Sequence, residues 1–152
     1  MKIDLRNLKV DQLGFVFKDI EKHAKILENL FNIPKFTFLP PFSNMVKLRG
    51  KEISTTTKIG FSRNFNTQIE LIQPIEGESL YKEFVDQGRE GLHHISLFIE
   101  DLQLYIDQFQ RFGYEVIYSG QIGKRVWAYL DTEKDLGLIL ELQETITRRK
   151  KK

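Results

Sequence analysis

A short stretch near the start of the chain returns 82 positions later, and that repeat limits the chain to architectures built from two like halves. Gln12-Leu13-Gly14-Phe15-Val16-Phe17-Lys18-Asp19 aligns without a gap on His94-Ile95-Ser96-Leu97-Phe98-Ile99-Glu100-Asp101. Each stretch reads as a strand rich in β-branched and aromatic residues, and each meets an Asp whose carboxylate can cap a helix. The stripe Ile20, Ala24, Leu27 and Leu30 follows Asp19 at helical spacing, and Leu102, Ile106, Phe109 and Phe112 follow Asp101 in the same way. Pro34 and Gly113 are the expected stops. Strand-like runs come next at 35–39, within 45–61 and at 67–73, and in the second half at 114–119, 124–131 and 138–143. Each half therefore reads β-α-β-β-β. The chain is expected to be a single α+β domain, with one module at about 10–75 and the other at about 91–144. Between them a polar linker, 76–90, carries a short helix from near Ser79, and a basic tail follows at 145–152.

Charge and composition remove several function classes. The chain has 23 Lys and Arg against 21 Asp and Glu, a net of +2. Arg148, Arg149, Lys150, Lys151 and Lys152 supply five of the positive charges, so residues 1–147 carry −3. A basic end on an acidic body is not the basic face that nucleic acid requires. With no cysteine, disulfides, thiolate metal sites and a Cys nucleophile are excluded. No apolar run approaches the ~20 residues of a membrane helix, and no apolar segment follows Lys2 as in a signal peptide. A cytoplasmic location is expected, with no membrane or nucleic-acid partner.

Chemistry concentrates on four residues. Side chains alternate across a strand, so His94 and Ser96 share a face, and by the repeat Gln12 and Gly14 share the corresponding one. Gly14 and Ser96 are small, which leaves room there for an ion or a ligand. The last strand of each half carries a carboxylate inside an apolar run: Glu70 in Ile69-Glu70-Leu71 and Glu141 in Leu140-Glu141-Leu142. A buried carboxylate needs a partner or a metal. Two carboxylates, an imidazole and an amide oxygen suit one divalent ion such as Zn, Co, Ni or Mn. His23 and His93 read as structural or solvent-exposed. Trp127, Tyr129 and Phe98 are candidates to line a cup, although core packing is the commoner fate of such residues.

Over about residues 10–144 the chain resembles the vicinal oxygen chelate superfamily, which includes glyoxalase I, methylmalonyl-CoA epimerase, extradiol dioxygenases and antibiotic-resistance binders. Gly91-Leu92-His93-His94-Ile95, Gly123-Lys124-Arg125-Val126 and Gly137-Leu138-Ile139-Leu140-Glu141-Leu142 resemble segments of methylmalonyl-CoA epimerases. The resemblance implies two βαβββ modules in a cupped, eight-stranded mixed sheet with the helices outside. It places metal ligands at Gln12, Glu70, His94 and Glu141; with those, Glu141 and Glu70 are expected to serve also as the catalytic carboxylates, and Lys124, in the resembling loop, and Ser96 are the candidate substrate contacts. Gln12 departs from the epimerases, which have His there; the set Gln, Glu, His, Glu resembles the zinc site of the human-type glyoxalase I. The implied activity is metal-dependent proton abstraction next to a carbonyl. An epimerase of a 2-methyl-branched acyl-CoA stands first, a glyoxalase I-like lyase acting on a glutathione adduct second, and a metal-free small-molecule-binding or resistance protein is the alternative of another class. A homodimer is the expected assembly.

Overall fold

The computed structural model describes residues 2–147, so Arg148 to Lys152 of the basic tail lie outside the described residues. Module 1 contains β1 (Gln12–Val16), α1 (Ile20–Phe31), β2 (Thr37–Phe38), β3 (Phe42–Leu48), β4 (Lys51–Asn64) and β5 (Thr67–Glu76). The linker forms α2 (Leu80–Asp86). Module 2 contains β6 (Gly91–Phe98), α3 (Leu102–Arg111), β7 (Val116–Ile122), β8 (Arg125–Leu130), a single turn α4 (Glu133–Leu136) and β9 (Ile139–Thr145).

The repeat is visible in backbone detail. Asp19 and Asp101 adopt nearly the same extended conformation, φ −142° and −138°, and cap α1 and α3 by accepting from the backbone N–H of Lys22 and Leu104. Each carboxylate satisfies a donor that the first helical turn leaves free. The helix ends differ from expectation. Asn32, left-handed at φ 52°, closes α1 two residues before Pro34. Leu30 is 73% exposed and Phe112 47% exposed, so the buried stripes are shorter than the spacing suggests.

The run expected within 45–61 is two strands, β3 and β4, joined through Arg49 and Gly50, both with positive φ. β2 and β3 lie on one edge of β4, and Pro40 and Pro41 between them shift the register by one residue. Proline has no N–H to give to a ladder, so the strand breaks there.

Eight strands close in the order β4-β3-β7-β8-β9-β6-β1-β5, with β5 pairing back onto β4. β1/β5 and β6/β9 are parallel and the other pairings antiparallel, giving a mixed, barrel-like sheet. The modules meet within the chain at two seams, β1–β6 and β3–β7. Strand alternation sorts the side chains. Ile69 and Leu71 pack outward with Ile20 and Ala24 of α1, while Leu140 and Leu142 pack with Phe109 of α3. Glu70 and Glu141, one residue over in each strand, are thereby turned inward. α2, capped by the buried Ser79, buries Leu80, Tyr81 and Phe84 in the inner cluster with Tyr118, Trp127 and Tyr129.

Candidate active site

The strand registers make the two modules equivalent at the site. Glu70 is partnered by Gly14, and Glu141 by Ser96, which is the repeat equivalent of Gly14. Across the β1–β6 seam Gly14 faces His94, and Gln12 faces Ser96. A large polar side chain of one module thus crosses over a small residue of the other. A Cβ added at Gly14 would overlap Cε1 and both nitrogens of the His94 ring. The space that the small residue was expected to leave for an ion or ligand is therefore occupied by the imidazole itself.

Three of the four candidate ligands converge. His94 is fully buried, and its Nε2 lies 3.3 Å from Glu141 Oε2 and 3.5 Å from Glu70 Oε2. The Tyr129 hydroxyl stands 3.4 Å from the same nitrogen and 2.6 Å from the hydroxyl of Tyr81. The other ring nitrogen, Nδ1, is 3.1 Å from Nδ1 of His93, which is buried against Phe84 and Tyr81. Burial, followed by the charges of His94 and Arg89, holds His93 well below the usual imidazole range.

Gln12 is placed differently. Its amide nitrogen donates to Gln68 Oε1 at 2.8 Å, and its oxygen accepts from Gln143 Nε2 at 3.1 Å. That Gln143 nitrogen shares its two hydrogens among three acceptors, the others being Glu141 Oε2 at 2.9 Å and Ser96 Oγ at 2.8 Å, and Arg125 donates to Gln143 Oε1 at 2.9 Å. Gln12 therefore reaches Glu141 through Gln143. Gln143 and Gln68 were passed over in the sequence, although each sits two residues from a candidate Glu and so on the same strand face.

The groups floor a cavity of about 800 Å³ inside the barrel. Its walls are mostly apolar, with Phe42, Val46, Phe61, Phe98, Tyr118 and Trp127 among them, while Gln12, Glu70 and Glu141 line it below. Ser96 is fully buried beneath Gln143, and Lys124 lies in the exposed turn between β7 and β8. Arg125 and Arg63 line the cavity, and the Arg125 guanidinium stacks 4.5 Å from the Phe98 ring centre.

The paired carboxylates make the floor favour positive charge at His94. Burial raises the Glu70 pKa, the charge of Glu141 adds to this, and only His94 and Arg125 oppose it. Burial would lower the His94 pKa, but the hydrogen bond and charge of Glu141, then those of Glu70, carry it up to about 9. Among the described residues no group of three or more His, Cys, Asp or Glu is arranged so that it could hold a metal ion as it stands. The donor chemistry nonetheless fits a divalent ion. Two donors about 2.1 Å from a shared ion, at tetrahedral to octahedral angles, stand about 3.0–3.4 Å apart. At Nε2 the 3.3 Å separation from Glu141 falls within that spacing and the 3.5 Å separation from Glu70 just beyond it, and both exceed the ~2.7–3.2 Å of ordinary N–H···O bonds. A proton or a metal ion can fill this pole.

A stability prediction follows for the metal-free protein. The His94 pKa rises on folding, so its contribution is complete below about pH 6.5 and is lost as pH passes 9. The melting midpoint is expected to fall by roughly 6–12 °C over that window, on the order of 3 kcal/mol. A midpoint that stays level from pH 6.5 to 9.5, followed by circular dichroism, contradicts the charged His94 core.

Comparison with known proteins agrees with this architecture. The family model for the glyoxalase/bleomycin resistance protein/dioxygenase superfamily matches residues 11–128. The chain belongs to that superfamily. Among solved structures, a hypothetical protein from Bacillus halodurans C-125 superposes with a TM-score of 0.68 at 20% identity, covering 96% of this chain and 100% of that one. The methylmalonyl-CoA epimerase from Mycobacterium tuberculosis gives 0.63 at 14% identity, covering 93% and 89%. A variant of the Streptomyces coelicolor methylmalonyl-CoA epimerase, in complex with 2-nitronate-propionyl-CoA, gives 0.65 at 15%, covering 91% and 95%. At these identities the likeness is one of fold. No curated protein matches the chain in sequence. No helix among the described residues is long and apolar enough to cross a membrane.

Proposed function

We propose that this superfamily member is a metal-dependent isomerase that moves a proton at the carbon next to a carbonyl, acting as an epimerase of a 2-methyl-branched acyl-CoA. One observation carries the reading: Glu70 and Glu141, equivalent in the two modules, both approach a single imidazole nitrogen at the floor of an apolar cup. Glu70, His94 and Glu141 would hold a divalent ion, Zn, Co, Ni or Mn, with Gln12 as the fourth candidate. When bound, such an ion supplies Lewis-acid polarisation of the substrate carbonyl.

The residues of the chain do the rest. One carboxylate accepts the proton as the C–H bond breaks, and the electron pair moves toward the carbonyl oxygen to give an enolate. The other carboxylate, protonated, returns a proton to the opposite face, which inverts the centre. The apolar wall keeps water from the carbanionic carbon and strengthens charge interactions at the floor. The cup volume falls within the ~300–1,000 Å³ usual for small-molecule sites. Arg125 and Arg63 line the cup, and with Lys124 of the adjoining turn they would meet anionic groups of the ligand. Two carboxylates suit an epimerase, which needs an acceptor and a donor on opposite faces; Gln12 on β1 favours the second reading, a glyoxalase I-like isomerisation of a glutathione hemithioacetal.

The test starts with atomic absorption on the untagged chain. About one divalent ion per chain is expected, and its loss in His94→Ala. The loaded protein is then incubated with methylmalonyl-CoA in D2O, and deuterium at the α-carbon is followed by NMR, beside the hemithioacetal of methylglyoxal and glutathione. Exchange with the thioester supports the epimerase; turnover of the hemithioacetal alone supports the second reading. Absence of both metal uptake and exchange overturns the enzyme reading and turns the search toward a bound ligand.

A further inference from the structure

Two phenols stand where the proposed reaction gathers negative charge. Tyr129, on β8, is 1% exposed; Tyr81, on the linker helix α2, is 7% exposed; both line the cup. Their oxygens are 2.6 Å apart, and the Tyr129 oxygen is 3.4 Å from His94 Nε2, the nitrogen that Glu70 and Glu141 also approach. Their rings pack edge-on, with centres 6.1 Å apart, so packing as well as the hydrogen bond fixes the pair.

Counting hydrogens shows what the pair has to spare. Two hydroxyls carry two hydrogens, and the short O···O contact uses one of them. With Tyr81 donating to Tyr129, the second hydrogen lies on Tyr129 and has His94 Nε2 as its partner only while that nitrogen keeps a free lone pair. A proton or a metal ion between the carboxylates takes the lone pair, and the spare phenolic hydrogen is then left to an oxygen atom inside the cup.

We infer that Tyr129, positioned by Tyr81, is a catalytic hydrogen-bond donor to the carbonyl oxygen of the substrate, an oxyanion-stabilising group for the enolate. The assignment rests on the isomerase reading above. In a site whose floor already holds two carboxylates, a further negative charge on oxygen is costly unless a donor faces it. A phenol meets that need without adding charge, and it donates without giving up its proton. Tyr129 touches the reacting oxygen, whereas Tyr81 acts through Tyr129 and is a positioning residue. The pair also ties the linker between the modules to the chemistry, because Tyr81 comes from α2 and Tyr129 from module 2.

The experiment compares the wild-type chain with Tyr129→Phe, Tyr81→Phe and the double variant, all metal-loaded. Exchange into methylmalonyl-CoA gives kcat and KM, and calorimetry gives affinity for propionyl-CoA and for 2-nitronate-propionyl-CoA, whose nitronate bears negative charge on oxygen as an enolate does. Tyr129→Phe is expected to lower kcat roughly 10²-fold, the usual loss of one oxyanion donor, with KM within about threefold. The same variant is expected to lose nitronate affinity by a similar factor while propionyl-CoA affinity holds. Tyr81→Phe is expected to fall roughly tenfold, and the double variant no further than Tyr129→Phe, because the two act as one unit. Wild-type kcat and nitronate affinity in Tyr129→Phe overturn the donor role and leave the isomerase reading standing. A parallel fall in affinity for both thioesters overturns it too, since that marks a merely structural residue. Absence of exchange in the wild-type chain overturns the isomerase reading, and the donor role with it.

Discussion

Glu141→Gln is expected to lower α-proton exchange by at least about 10³-fold while leaving the fold intact. Glutamine preserves the size of the side chain and an oxygen able to accept from Gln143 Nε2, which donates to Glu141 Oε2 at 2.9 Å. It cannot take a proton at neutral pH, and it withdraws one of the two negative charges beside His94. Removing a positioned general base alone costs about 10²–10⁴ in rate, and weaker retention of a divalent ion adds to that. Glu70→Gln separates the two roles. If the carboxylates work on opposite faces, Glu70→Gln should still wash the α-proton out of one enantiomer of methylmalonyl-CoA but should no longer interconvert the two. Chiral analysis of the exchanged thioester reads this directly. Exchange at the wild-type rate in Glu141→Gln removes that residue from the mechanism.

Gly14→Ala is the second substitution with a large expected effect, although it adds a single methyl group. That methyl would overlap the His94 ring, and the ring has no free volume to enter: it is fully buried, with its centre 4.8 Å from that of Tyr129 and 5.4 Å from that of His93. Overpacking of a tight core costs about 1–3 kcal/mol. For a chain of 152 residues, that is a fall of roughly 2–12 °C in melting midpoint at about 2–4 °C per kcal/mol. The functional cost is expected to be larger than the stability cost, since any rotation of the imidazole moves Nε2 away from both carboxylates. Metal content should fall below half an ion per chain, and exchange by roughly 10²-fold, as displacements of about 1 Å do elsewhere. Ser96→Ala, at the equivalent position in module 2, deletes a hydroxyl instead of adding bulk. It removes an acceptor for Gln143 and should cost only about 1 kcal/mol. A Gly14→Ala protein with wild-type midpoint and wild-type metal content would show that His94 does not depend on that space.

The same four strands show how far a sequence can be read. The 82-residue offset placed Asp19 and Asp101 as caps, and each does cap its helix, because the capping signal is local: one side chain and the next three residues. Strand alternation likewise put Glu70 and Glu141 on the face opposite Ile69, Leu71, Leu140 and Leu142, and those apolar neighbours pack against α1 and α3. Leu30 and Phe112 mark the limit. Both lie on the helical stripe, yet they sit near the helix ends, where the sheet no longer covers them.

What the chain wrote into its sequence is the part set by short-range sterics and period: two βαβββ modules, their caps, and the inward turn of Gln12, Glu70, His94 and Glu141. The arrangement of those four relative to one another was decided by the tertiary structure. Glu141 lies 71 positions after Glu70, not 82, because the second module is shorter, so no fixed spacing announces the pair. Closure of the sheet and the register of the β1–β6 seam lay the His94 ring across Gly14 and bring both carboxylates to its Nε2. The seam also leaves Gln12 to the amides of Gln68 and Gln143, and the fold of the linker brings Tyr81 to Tyr129. Contacts between residues dozens of positions apart depend on how whole strands pair, and a one-residue slip in that pairing would turn each of these side chains to the other face.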